Sequence, residues 1–223
     1  MLIIFDLDDT LVKTSDCITH ILLERSLHAM VSKGFKTQNF YQTLFLLREI
    51  NKQTSNAEEA LKELIVRMHE NLELIHIGKE QLTNFTLDMP IFPLELAIET
   101  LHLLKRKRHN LCVVTIGKDS LQRQKLEKAG IDPILFSKIV VTEDRNKKPH
   151  YERLLAEFDY SPEQVMVCGD RVSVDLEPAI QLNCKTVHVL CGRGLSIKEK
   201  SSKAKITYRI SNLVELRDLK ELR

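Results

Sequence analysis

Four short apolar runs, 111–116 (LCVVTI), 138–142 (KIVVT), 165–168 (VMVC) and 186–190 (TVHVL), recur through the second half of the chain with helical stretches between them. Strands this apolar are covered on both faces, and strands separated by helices run parallel. The pattern predicts an α/β fold built on a parallel sheet with helices on both faces. The opening run 2–5 (LIIF) reads as a further buried strand of that sheet, and 206–210 as another. Helices are predicted over 94–105, from Asp119 to Gly130, over 150–158 and from Asn212 onward. Asp119 and Gln122 have the spacing of a helix capping box.

Residues 15–89 follow a different rule. Ile18, Ile21, Leu22 and Met30 give one apolar face at helical spacing, and Ala57, Ala60, Leu61, Leu64, Ile65, Met68 and Leu72 repeat the rhythm. A third helix is predicted over 41–50, and no strand is legible. Pro90 and Pro93 mark the exit, because proline interrupts helix and biases its predecessor to extended backbone. The expected organisation is a core of 1–14 and 90–223, interrupted by a helical module of 15–89.

Composition excludes several classes. With 43% apolar and 29% charged residues in 223, the chain is an ordinary globular sequence. A net charge of +2 gives no electrostatic case for nucleic acid or an anionic membrane surface, and neither partner is expected. No apolar run approaches the ~20 residues that span a bilayer. The run 105–108 (KRKR) sits at a predicted helix end, where cations complement the dipole. Cys17, Cys112, Cys168, Cys184 and Cys191 are dispersed and odd in number, which fits reduced thiols and a cytoplasmic location.

Chemistry gathers where the strands end. In open parallel sheets, ligands bind beyond the carboxyl ends of the strands. After the first strand stand Asp6, Asp8, Asp9 and Thr10, although Asp disfavours strand geometry. Thr115 lies at the end of LCVVTI; Lys147 and Lys148 follow the next strand; Gly169, Asp170 and Asp175 follow VMVC. Four strand ends thus offer carboxylates, a hydroxyl and a lysine to one place.

In these residues the chain resembles the haloacid dehalogenase superfamily of Asp-dependent hydrolases. Asp6-Leu7-Asp8-Asp9-Thr10 reads as the first motif, DxDxT; Thr115 as the second; a lysine before a proline, Lys148-Pro149, as the third; and the run from Gly169 to Asp175 as the fourth, GDxxxxD. The resemblance implies a Rossmann-like core with a helical cap inserted after the first motif. It implies Asp6 as nucleophile toward phosphorus, forming an aspartyl phosphate, and Asp8 as acid and then base. Asp6 and Asp170 are expected to ligate Mg²⁺ by their side chains, and Asp8 by its backbone carbonyl. Thr115 and Lys148 are expected to hold the phosphoryl oxygens, and Asp175 to orient Lys148 or a metal-bound water. An all-oxygen set without His or Cys suits Mg²⁺ better than zinc.

Two positions depart from the pattern. Ile116 follows Thr115 where relatives often carry Asn, and Lys147 and Lys148 are adjacent, so that only the following proline selects Lys148. Asp9 is read as an exposed or hydrogen-bonding neighbour. The expected activity is a Mg²⁺-dependent phosphatase acting on a small phosphorylated metabolite. A phosphomutase on the same site, a non-catalytic phospho-acceptor module and a dehalogenase are the alternatives.

Overall fold

The computed structural model describes residues 1–196 and 202–222. The chain divides into two units, one formed by Met1–Thr14 with Pro90–Arg223 and the other by Ser15–Met89.

The first unit is built on a six-stranded parallel sheet. Its strands are β1 (Leu2–Phe5), β2 (Asn110–Ile116), β3 (Lys138–Thr142), β4 (Val165–Gly169), β5 (Lys185–Val189) and β6 (Tyr208–Ile210), in the spatial order β3-β2-β1-β4-β5-β6. All four residues of β1 and all five of β4 are buried, as strands covered on both faces must be. One face packs Leu2, Ile4, Cys112, Val114, Val165 and Val167 against Tyr151, Leu154, Leu176 and Ala179.

The order of strands fixes the location of chemistry. From β1 the chain proceeds outward to β2 and β3, and later returns to β4 on the other side of β1 before moving out to β5 and β6. The switch point therefore lies between β1 and β4, whose following connections lead to opposite sides of the sheet, which is where such folds leave a crevice. Phe5 pairs with Cys168, and the Asp6 amide donates to the Cys168 carbonyl at 2.9 Å. Asp6 is thus tied to the strand that delivers Asp170.

Beyond Phe5 the backbone coils back on itself. The amides of Leu11 and Val12 donate to the Leu7 carbonyl at 2.9 and 3.0 Å, and the Asp9 amide to the Val12 carbonyl at 2.7 Å. This turn needs Asp9 in the left-handed region, at φ +56°, which Asp tolerates better than most residues. Residues 11–13 then run beside 92–94: the Lys13 amide donates to the Phe92 carbonyl at 3.0 Å, and the Leu94 amide to the Leu11 carbonyl at 2.8 Å.

Four helices make the second unit: α1 (His20–Ser32), α2 (Phe40–Gln53), α3 (Ala57–Arg67) and α4 (Leu74–Thr83). Asn39 caps α2 by accepting from the Gln42 amide at 3.1 Å, and Asn56 caps α3 by accepting from the Glu59 amide at 2.9 Å. Leu23, Leu27, Met30, Leu44, Leu47, Leu61 and Leu64 close a core of the unit's own. Buried Ser26 donates to the Gly78 carbonyl at 2.9 Å, joining α1 to α4.

One expectation is corrected. The helix predicted from the rhythm of Ala57 to Leu72, α3, stops at Arg67, and Leu72 is exposed. The short helix expected from Asn212 is present as a 3₁₀ helix, Leu213–Asp218. The remaining helices of the first unit are α5 (Ala97–Arg106), α6 (Asp119–Lys128), α7 (Lys148–Glu157) and α8 (Glu177–Ile180). None of the described helices is long and apolar enough to cross a membrane.

Candidate active site

Three aspartates meet in the crevice between β1 and β4. Asp6, Asp170 and Asp175 each offer one carboxylate oxygen within 4.8 Å of the others, and all three residues are buried. Asp6 and Asp170 arrive directly, as the residues that follow β1 and β4. Asp175 arrives by a π-helical turn, Val172–Leu176, that folds the chain back over the end of β4. A methyl group at Gly169 would lie 2.4 Å from the Asp175 Cβ, so the glycine of the fourth motif is what lets Asp175 return this far.

Lys147 is the cation held between two of these acids. Its Nζ donates to Asp6 Oδ1 at 2.6 Å and to Asp175 Oδ1 at 2.7 Å, with no exposed side-chain surface. The expectation of Lys148 is thereby corrected. Pro149 occupies the first turn of α7, where proline fits, and the helix begins at Lys148. Successive residues point about 100° apart on a helix, so two adjacent lysines cannot face one crevice. Lys148 stands half-buried, outside the acidic cluster. Upstream, the Lys148 amide donates to Asn146 Oδ1 at 3.2 Å, the Asn146 amide to Asp144 Oδ1 at 2.9 Å, and the Asp144 amide to Thr142 Oγ1 at 3.0 Å. These local turns carry the chain from β3 to Lys147.

Electrostatics separates the acids. Burial raises the pKa of Asp6, and the neighbouring carboxylate of Asp175 adds to the rise against the opposing charge of Lys147. Asp170 is pushed well above the usual carboxylate range by burial and by the charges of Asp175 and Asp9. Both oxygens of Asp175 are engaged, since its Oδ2 accepts from the Arg171 amide at 3.0 Å. By contrast, Asp6 Oδ2 is buried with no hydrogen-bond partner among the described residues. An all-oxygen cluster of three buried acids, two of them strained toward protonation, fits a hard divalent cation.

Asp8 has a different environment. Its side chain is 27% exposed, and Lys125 Nζ donates to its Oδ1 at 2.6 Å. Thr14 Oγ1 also donates to Oδ1, and Gln122 Nε2 to Oδ2 at 2.9 Å. Burial alone would raise the Asp8 pKa; the Lys125 charge and the three hydrogen bonds outweigh it and hold it near 2. Thr115 is buried, and its Oγ1 accepts from the same Gln122 nitrogen at 2.6 Å. Its hydroxyl proton is therefore left for another acceptor.

The structure thus gathers Asp6, Asp170 and Asp175, and ties Asp8 to Thr115 through one amide. Asp9 is buried, not exposed. A methyl group at Gly192, which sits at φ +49°, would lie 2.2 Å from Asp9 Oδ2. Gly192→Ala is expected to cost roughly 2–3 kcal/mol through backbone strain and displacement of this carboxylate. Urea denaturation checks this; a loss under about 0.5 kcal/mol, an ordinary surface effect, would mean the loop simply moves aside.

Sequence reasoning named Lys147 but preferred Lys148, and it missed the roles of Gln122 and Lys125. Gln122 had a visible alternative, the capping box with Asp119, but α6 has no side-chain cap of that kind and Gln122 turns inward. The available signal was the spacing of Gln122, Lys125 and Leu126, which puts two polar residues on the inward stripe of a helix that covers a sheet.

A parallel sheet with this switch point, an acid after its central strand and a GDxxxxD turn on the next defines a class of hydrolase. The chain belongs to the haloacid dehalogenase-like hydrolases, whose family pattern matches residues 3–189. Among curated proteins, glyceraldehyde 3-phosphate phosphatase of Methanocaldococcus jannaschii is 29% identical over 222 residues, covering 97% of this chain and 95% of that protein. The protein of the same name from Pyrococcus furiosus is 26% identical over 200 residues, covering 86% and 81%. Among solved structures, the predicted phosphoglycolate phosphatase of Haemophilus somnus 129pt has the same fold, with a TM-score of 0.70 at 20% identity over 97% of this chain and 96% of that one. A HAD phosphatase from Thermococcus onnurineus gives 0.61 at 19% identity, covering 97% and 96%.

Proposed function

We infer that this protein is a Mg²⁺-dependent phosphatase of a small phosphorylated sugar, working through an aspartyl phosphate on Asp6. The enzyme is a phosphoric monoester hydrolase of the haloacid dehalogenase-like family. The names of the two archaeal relatives support a three-carbon sugar phosphate such as glyceraldehyde 3-phosphate as the substrate class. The observation that carries the mechanism is the unequal state of the two Asp6 oxygens: Oδ1 is fixed by Lys147, while Oδ2 has no partner. A carboxylate held by one oxygen and open at the other is oriented for attack.

In the first step Asp6 Oδ2 bonds to phosphorus as the ester P–O bond breaks, and Asp8, whose pKa the negative charge of a bound ester raises from its value near 2, gives a proton to the departing alkoxide oxygen. In the second step a water oxygen attacks the same phosphorus, its proton passes to Asp8, and the Asp6–phosphorus bond breaks to release inorganic phosphate. Thr115 donates its free hydroxyl proton to a phosphoryl oxygen. Lys147, not Lys148, carries the positive charge beside the nucleophile, and Asp175 holds Lys147 in place. Asp6 and Asp170, with the Asp8 carbonyl, are the residues that would hold Mg²⁺; when bound it supplies the charge that lets an anionic carboxylate meet an anionic ester. Cys17, Cys112, Cys168 and Cys184 are buried thiols, which fits the reading of a reducing, cytoplasmic location.

The metal assignment has a readout independent of turnover. Carboxylates whose pKa is raised by folding stabilise the protein when protonated. Asp6 and Asp170 therefore contribute stability at pH 4 that the metal-free protein loses as pH rises through about 6, the value for Asp6. Asp8 acts oppositely, and only as pH falls below the usual carboxylate range toward 2. Mg²⁺ is expected to raise the melting temperature more at pH 7.5 than at pH 5, and chelation to stop turnover. A shift of the same size at both pH values, or none, would overturn the site.

A further inference from the structure

Helix α6 places polar side chains where a sheet-covering helix is normally apolar. Its buried residues are Gln122, Lys125 and Leu126, spaced as one stripe. A lysine ranks among the residues least often buried, and burying one is unfavourable unless it is paired. Lys125 is 8% exposed as a residue, and its Nζ lies 2.6 Å from Asp8 Oδ1. Gln122 is 2% exposed, and its Nε2 reaches Asp8 Oδ2 at 2.9 Å, Thr115 Oγ1 at 2.6 Å and the Ile116 carbonyl at 3.1 Å. The Asp8 carboxylate and the Ile116 carbonyl can only accept, so the amide nitrogen must face them, its two hydrogens shared among the three oxygens.

We propose that Gln122 and Lys125 are positioning residues for proton transfer, and that together they leave Asp8 one open lone pair, on Oδ2. A carboxylate has about four lone-pair sites, two on each oxygen. Lys125 and Thr14 occupy both on Oδ1, and Gln122 occupies one on Oδ2. The proton bound for the leaving oxygen is therefore carried at Oδ2, and the carboxylate cannot rotate to offer Oδ1. Because Gln122 also grips Thr115, one amide sets the distance between the proton-transfer group and the hydroxyl that holds the phosphoryl oxygens. A stitch between α6 and the turn after β1 would need only one such contact. Here both buried polar side chains of the stripe reach the single acid that the chemistry must orient.

The inference rests on the reading of Asp8 as the acid of the first step. The decisive test compares two esters on the same preparation: an unactivated alkyl phosphate that the wild type turns over, and 2,4-dinitrophenyl phosphate, whose leaving oxygen departs without a proton. The parameter is kcat/KM, which ends with the first irreversible step and so excludes hydrolysis of the phosphoenzyme. Lys125→Met is expected to lower kcat/KM for the alkyl ester about 30-fold or more, a fraction of what general acid catalysis contributes, and for the dinitrophenyl ester about threefold or less. Lys125→Arg restores most of the loss on the alkyl ester. Partial misfolding lowers both esters alike and leaves their ratio untouched, and Lys125→Gln, which keeps a donor without the charge, provides a second variant read by the same ratio. Equal losses on the two esters in both variants, or no loss, overturn the inference. Asp8→Asn separates the levels. If it loses the alkyl ester selectively while Lys125→Met does not, the positioning role fails and the Asp8 reading stands. If Asp8→Asn shows no selectivity between the esters, the Asp8 reading fails and the inference with it.

Discussion

Asp6→Asn is expected to lower kcat by about 10⁴-fold or more, the scale on which removal of a nucleophile acts, while leaving the fold intact. The amide retains an oxygen for the Lys147 contact, so the packing around β1 has no reason to change. What it lacks is the nucleophilic charge at the position of Oδ2, the atom without a partner. The same change removes one carboxylate from a buried cluster of three, which burial and mutual repulsion already push toward protonation. The metal-free variant is therefore expected to melt at or above the wild-type temperature at pH 7.5, and to respond less to Mg²⁺. Steady-state kinetics and a thermal melt check the pair of effects. Residual activity above about 1% of wild type would reassign the nucleophile, since the loss would then fall far short of that scale.

Lys147→Met is expected to cost about 3–5 kcal/mol, because it leaves Asp6 and Asp175 buried without their shared cation. Activity is expected to fall with it, by roughly 10²–10³-fold, the scale of losing one preorganised electrostatic contact at a reacting centre. The companion Lys148→Met, at a half-buried helix start, is expected to change stability by no more than about 0.5 kcal/mol. Chemical denaturation of the two variants, with kcat for each, decides between the adjacent lysines. A crippled Lys148 variant beside a near-normal Lys147 variant would reverse the assignment.

The strands were the most legible part of the fold. LIIF, LCVVTI and VMVC are apolar enough that burial on both faces is their stable placement, and the structure buries them so, whereas KIVVT joins the same parallel sheet as a partly exposed edge strand. The acids were legible too, because three aspartates within four positions contradict strand preference so openly. Helix α4 was not legible: only Leu74 and Gly78 of it are buried, and a glycine at the inward position erases the apolar stripe that a reader looks for. Lys147 was hidden for a geometric reason. Proline marks where a helix begins, whereas the inward direction belongs to the residue just before that start. Gln122 and Lys125 were hidden because polar residues near a helix start look like caps and solvated charge until their tertiary partner, Asp8, more than 110 positions away, is known.

The position of β1 in the sheet bears on how the chain assembles during synthesis. β1 is synthesised before its partners, which begin at Asn110 and Val165, paired with Leu2 on either side. The strand that becomes the centre of the sheet is thus an orphan until residue 110 has been made. Closing so long a loop is less severe than its length suggests, since each doubling adds only about 0.6 kcal/mol. Residues 15–89, which have a core of their own, lie between β1 and both partners in the chain. The contacts of 11–13 with 92–94 hold the two ends of that segment side by side, so the loop that separates β1 from β2 in the folded protein is far shorter than the sequence between them.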